Sequence, residues 1–84
     1  MSAPGEMTFL TFLRGLANEG LIQLGVIPHP LTGERSVNLV YARATLRVLE
    51  ILDEKSAGNR TPEEDEYLRG VVQGLRERIA KAGG

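Results

Sequence analysis

Apolar residues recur along most of this chain at the three- and four-residue spacing of α-helices, in three blocks parted by turn-forming stretches. The first block runs from about Thr8 to Leu24 and closes at Gly25. On a helical wheel Phe9, Leu10, Phe12, Leu13, Leu16, Ala17, Leu21 and Leu24 cover about half the circumference, with Thr11, Arg14, Asn18 and Glu19 opposite. Ile22 falls among the polar residues, so that side is expected to be partly covered too.

The second block, about Leu39 to Ser56, is the unusual one. Its charged residues Arg43, Arg47, Glu50, Asp53 and Glu54 are confined to a narrow stripe, and apolar residues from Val40 to Leu52 fill most of the remaining circumference. A helix covering one side of a small bundle needs an apolar arc of only about 100–140°. This helix is therefore expected to be contacted on several sides. The third block, Pro62 to about Lys81, carries one clean stripe: Leu68, Val71, Val72, Leu75 and Ile79. Arg47 with Glu50, Asp65 with Arg69, and Glu77 with Lys81 stand at pairing distance along their helices. Gly70 and Gly74 lie together beside the stripe, either to admit another backbone or simply as tolerated surface glycines at roughly 1 kcal/mol each.

The boundaries have local reasons. Asn38 suits the N-cap of the second helix. Gly58 suits the left-handed position past its end. Thr61, Pro62 and Glu64 read as a capping box with proline at the first helical position, and Glu63, Asp65 and Glu66 add charge that favours the positive end of the helix dipole. The last two helices are thus expected to form an antiparallel hairpin from about Leu39 to about Lys81. Between the first two helices, Val26 to Asn38 is long for a compact bundle. Pro28 and Pro30 stiffen its first half, Thr32-Gly33-Glu34 reads as a turn, and a short extended piece fits near Ser36 to Asn38.

At 84 residues the chain is one small domain, read as a disordered tail over 1–7 and a single helical domain over 8–82. A domain this small is marginally stable. It has no cysteine, so neither a disulfide nor a thiolate metal site supplements its core. That leaves close helix packing or association with another chain. The net charge of −1 gives no pull toward nucleic acid or anionic lipid. Eight of the ten basic residues are arginine, which fits a GC-rich genome or thermophilic ion-pair networks. The start of the chain lacks a basic leader, and Arg14, Asn18 and Glu19 break the first apolar run, so a cytoplasmic protein without a membrane partner is expected.

Candidate chemistry is sparse. His29, the single histidine, sits between two prolines in a stiff loop, but the sequence offers it no orienting partner. Glu63 to Glu66 are consecutive and so diverge around the helix, unlike the inward Glu-x-x-His set of a bundle metal site. A helix-turn-helix reading would aim those same carboxylates at a phosphate-lined groove. There is no phosphate-binding glycine loop and no nucleophile elbow. The terminal Gly83-Gly84 reads as a frayed helix end. No catalytic, metal-binding or cofactor-binding residue is therefore assigned.

The chain resembles a family of small bacterial proteins known as domain of unknown function 1844. The resemblance rests on Phe9-x-x-Phe12-Leu13-x-x-Leu16-Ala17, Gln23-Leu24-Gly25, Pro28-x-Pro30 and Asn38-Leu39-x-x-Ala42. It continues through Leu49-x-x-Leu52-x-x-Lys55-Ser56-x-Gly58-Asn59-x-Thr61-x-Glu63-Glu64 to Leu75-Arg76. Ser56 stands where similar proteins often have threonine. The resemblance implies an all-helical bacterial protein and carries over no catalytic residue.

The expectation is an all-α, three-helix, non-enzymatic protein that self-associates as a dimeric helical bundle. Its shared core would draw on Phe9, Phe12, Leu16, Leu46 and Leu49. Two alternatives stand beside it: a regulatory or adaptor module whose groove takes a partner's helix, and a small-ligand binder or enzyme using His29, Tyr41 and nearby arginines. The competing structural expectation is that those five apolar residues belong to one monomeric core.

Overall fold

Three helices carry the chain in the computed structural model, which describes residues 7–83: α1 (Phe9–Gln23), α2 (Leu39–Ser56) and α3 (Pro62–Gly83). No strand occurs among the described residues, so the stretch near Ser36 is irregular coil. The expected tail lies outside the described residues except for Met7.

Each helix starts where its capping chemistry places it. Thr8 Oγ1 accepts the Thr11 N–H at 3.1 Å, and Asn38 Oδ1 accepts the Tyr41 N–H at 3.1 Å. At α3 both halves of the capping box form: the Thr61 N–H donates to Glu64 Oε1 at 2.8 Å and the Glu64 N–H donates to Thr61 Oγ1 at 3.1 Å. These bonds satisfy donors that have no partner inside their helix. Gly25 and Gly58 end α1 and α2 at φ 74° and 83°, backbone that a Cβ would strain. The third helix runs two residues past the expected end, with Gly83 against Leu39 and Arg43 of α2.

The long connection folds back on itself. Asn38 N–H donates to Gln23 O at 2.7 Å, His29 N–H to Glu34 O at 2.8 Å, and Gly33 N–H to His29 O at 2.8 Å. It is thus a closed loop whose two limbs meet, with Leu31 at its tip, rather than a slack tether.

The core is made of Leu13, Ala17 and Leu24 from α1 and its end, Ala42 and Leu49 from α2, and Leu68, Val72, Leu75 and Ile79 from α3. All three helices converge at Gly20. A Cβ there would lie 3.1 and 3.2 Å from the two Leu75 methyls and 3.4 Å from Thr45 Cγ2. Beside it Thr45 Oγ1 donates to Gln23 Oε1 at 2.7 Å, which satisfies the single polar residue in the core. Along α2 and α3 the cross-contacts step in opposite directions: Asp53 meets Arg60 just before α3, Glu50 meets Arg76, and Arg43 meets Gly83.

Candidate functional site

The five residues expected in a shared core separate into two groups. Leu49 has no exposed surface and sits at the centre of the chain's own core, so it has nothing to offer a second chain; the wheel had merged the inner and outer halves of α2. Phe9, Leu16 and Leu46 are half-buried and pack against that core. Phe12 alone of the five is exposed, at 42%.

What α2 leaves uncovered is a different set. Val40, Tyr41, Val48 and Ile51 are exposed by 72%, 61%, 42% and 40%, and Ala44 lies exposed among them. Val40, Ala44, Val48 and Ile51 are spaced four, four and three residues apart, which puts them on one face. The opposite side of the helix, Ala42, Thr45 and Leu49, is buried. Scattered exposed hydrophobics need no explanation, but a contiguous stripe marks a contact surface. The wide apolar arc of the sequence was the signal for this surface. It did not say which side of the arc the core would take.

A second apolar region lies between α1 and α3. A cleft of about 210 Å³ is lined by Ala17, Leu21, Tyr67, Val71 and Leu75, with Asn18, Gly74 and Arg78 at its edge. The Arg14 guanidinium lies over the Tyr67 ring, 5.8 Å from its centroid, within cation–π range. Gly70 and Gly74 have no neighbour within 4 Å of where a Cβ would be, so no backbone of this chain approaches them.

The family model for a domain of unknown function, DUF1844, matches residues 6–81. The chain belongs to the DUF1844 family. Nothing among the curated proteins or the solved structures matches it.

In this DUF1844 domain a cluster of polar side chains holds the connection between α2 and α3. Arg60, whose side chain is 9% exposed, donates to Asp53 Oδ1 at 2.6 Å, Asp53 O at 2.9 Å, Ser56 Oγ at 3.3 Å and Asp65 Oδ1 at 2.6 and 3.1 Å. Its charge is stabilised by the hydrogen bond to Asp65, then by that to Asp53, which push its pKa up. Arg60 falls at an unspecified position between Asn59 and Thr61 of the family stretch, so the motif does not point to it. Its role needs Asp53, seven residues earlier, to come within reach, which only the closed turn achieves.

On the exposed side, Glu50 pairs with Arg76 at 2.8 Å and Arg47 at 3.5 Å. The Arg76 hydrogen bond leads in holding its carboxyl below the ordinary value. Asp65 pairs with Arg69 as expected, at 3.1 Å. Glu77, expected to pair with Lys81, instead accepts the Gln73 amide at 2.8 Å. His29 is exposed and its Nδ1 accepts the Leu31 N–H at 3.1 Å. Among the described residues that is the one hydrogen bond of the ring. No group of His, Asp or Glu able to hold a metal occurs among them either. Among the described residues no helix is long and apolar enough to cross a membrane.

Proposed function

We propose that this DUF1844 domain is a small non-enzymatic helical protein that acts by self-association, with the exposed face of α2 as its contact surface and Phe12 of α1 at the margin. The observation that carries the reading is the exposed stripe Val40, Ala44, Val48 and Ile51 on the side of α2 away from the core. In this reading the antiparallel α2–α3 hairpin is the rigid frame, locked by Arg60, that holds the stripe flat for a second copy.

The shape supports it. The Cα envelope measures 34 × 30 × 15 Å, a slab about two helices thick. Its radius of gyration is 13.4 Å, against about 12 Å for a compact chain of this length. A thin slab has broad faces and a small core, and a second copy on one face thickens that core.

Light scattering behind a sizing column, across a dilution series, tests the reading. The expected result is a dimer that dissociates on dilution. Val48→Asp alters an exposed position, so the helical circular dichroism should persist while the dimer dissociates at concentrations on the order of 100-fold higher. A wild-type monomer at every concentration refutes the proposal.

The cleft beside Tyr67 favours a second reading, an adaptor that seats a partner's helix between α1 and α3. That reading expects a monomer that binds a dye for exposed apolar surface, with binding lost in Val71→Asp.

A further inference from the structure

We infer that two copies pack α2 against α2 in opposite directions, across a two-fold axis level with the midpoint between Arg47 and Val48. This rests on the self-association reading and goes beyond it by naming the occupant's orientation and register.

The argument is that the exposed face of α2 is complementary to itself under that rotation. Ala44 lies as far before the midpoint as Ile51 lies after it. The rotation therefore sets the small side chain of one copy against the large one of the other, twice, along the centre of the contact. Helices whose facing side chains interlock in this way approach to about 8–10 Å. On one flank Arg43 comes within about 3 Å of the level of Glu54 of the second copy. On the other, Tyr41 comes within about 1.5 Å of the level of Lys55 of the second copy, where an ammonium can rest on the ring.

Within the chain, Glu54 and Lys55 enter no ion pair among the described residues, so both remain available. Arg47 falls near the axis, where two like charges meet; each lies 3.5 Å from Glu50 of its own copy, a carboxylate it shares with Arg76 at 2.8 Å. A parallel pairing puts unlike flanks together: Glu54 meets Lys55, but Arg43 faces Tyr41 with no carboxylate at its level, and along the centre Ala44 meets Ala44 and Ile51 meets Ile51, small on small and large on large. An interface that recurs between identical chains has to satisfy both copies at once, and the antiparallel sense does so by giving each Arg43 a carboxylate and setting small side chains against large ones.

Cysteine cross-linking reads the register directly, since the chain has no cysteine of its own. Ala44 and Ile51 are both exposed, so replacing them leaves the core untouched. On oxidation, the double variant Ala44→Cys/Ile51→Cys should give a covalent dimer. So should an equal mixture of the two single variants, while each single variant alone should give little. A covalent dimer from Ala44→Cys alone, with the mixture no better, would overturn the antiparallel register while leaving self-association standing. A wild-type monomer at every dilution would overturn both.

A second measurement does not depend on cysteine chemistry. Arg43→Glu and Glu54→Arg should each raise the dimer dissociation constant about tenfold. Mixing the two should restore it, because every rim pair in the mixed dimer is then of opposite charge. Failure of the mixture to recover counts against the register.

Discussion

Substituting alanine for glycine at position 20 and at position 70 makes the same chemical change in two helices and should move stability in opposite directions. In a helix interior the change gains up to about 1 kcal/mol, because alanine has less backbone freedom to lose. At Gly70 nothing lies within 4 Å of the new methyl, so the full gain is expected. At Gly20 the methyl would meet the two Leu75 methyls at 3.1 and 3.2 Å, against about 3.5–4.0 Å for a relaxed carbon contact. Leu75 is 3% exposed, and the open space beside it is the small cleft between α1 and α3. Overpacking of that kind costs about 1–3 kcal/mol. The net at Gly20 is a loss of about 1 kcal/mol, so the two variants should differ by about 2 kcal/mol. At roughly 4–8 °C per kcal/mol for a domain of this size, Gly20→Ala should melt about 5 °C below the wild type and Gly70→Ala about 5 °C above it. The assay is thermal unfolding followed by far-ultraviolet circular dichroism, at one protein concentration because association would add to the apparent stability. If Gly20→Ala gained as much as Gly70→Ala, the three helices could not converge on Gly20, and the packing of α1 against α2 and α3 would be wrong.

Three further outcomes follow from the geometry. Leu49→Ala empties a fully buried position and should cost about 2–5 kcal/mol by urea denaturation, a large share of the roughly 4–12 kcal/mol expected of the whole domain; a cost below 1 kcal/mol would remove Leu49 from the core. Thr61→Ala deletes one half of the capping box and should cost about 1 kcal/mol, with Glu64→Ala adding little once Thr61 is gone; full additivity of the two would show that the box is not a unit. Glu50 has its folded-state pKa lowered, chiefly by the hydrogen bond from Arg76. Its contribution is therefore present above the unfolded value of 4.5 and lost as pH falls through the lower folded value. The pair is largely solvated, so the effect is about 0.5 kcal/mol or less. A titration from pH 6 to pH 3 comparing wild type with Arg76→Gln should show the difference between them shrink toward the acid end.

Much of the fold was legible because it depends on neighbours in the chain. Asn38, Gly58, Thr61, Pro62 and Glu64 act within one helical turn of themselves, and every one takes the position expected of it. The pairs Arg47–Glu50 and Asp65–Arg69 were legible for the same reason. Glu77 was misassigned because two partners at the same spacing compete for it, and Gln73 holds the bond. Arg60, which ties Asp53 to Asp65, was missed because its two carboxylates become neighbours only once the turn has closed.

Three helices, most of their ends and an apolar arc on α2 wider than one core contact requires are written in the local sequence. Local hydrogen bonding and side-chain periodicity act over a few residues, so they can be read without the fold. Only the tertiary structure decided how that arc is divided. Packing of α1 and α3 around Gly20 turns Ala42, Thr45 and Leu49 inward and leaves Val40, Ala44, Val48 and Ile51 facing out. Both sets are largely apolar, with Thr45 the exception in the inward one, and both have helical spacing, so composition could not separate them. The division depends on which face the other two helices reach first, and that is a property of three surfaces packed together.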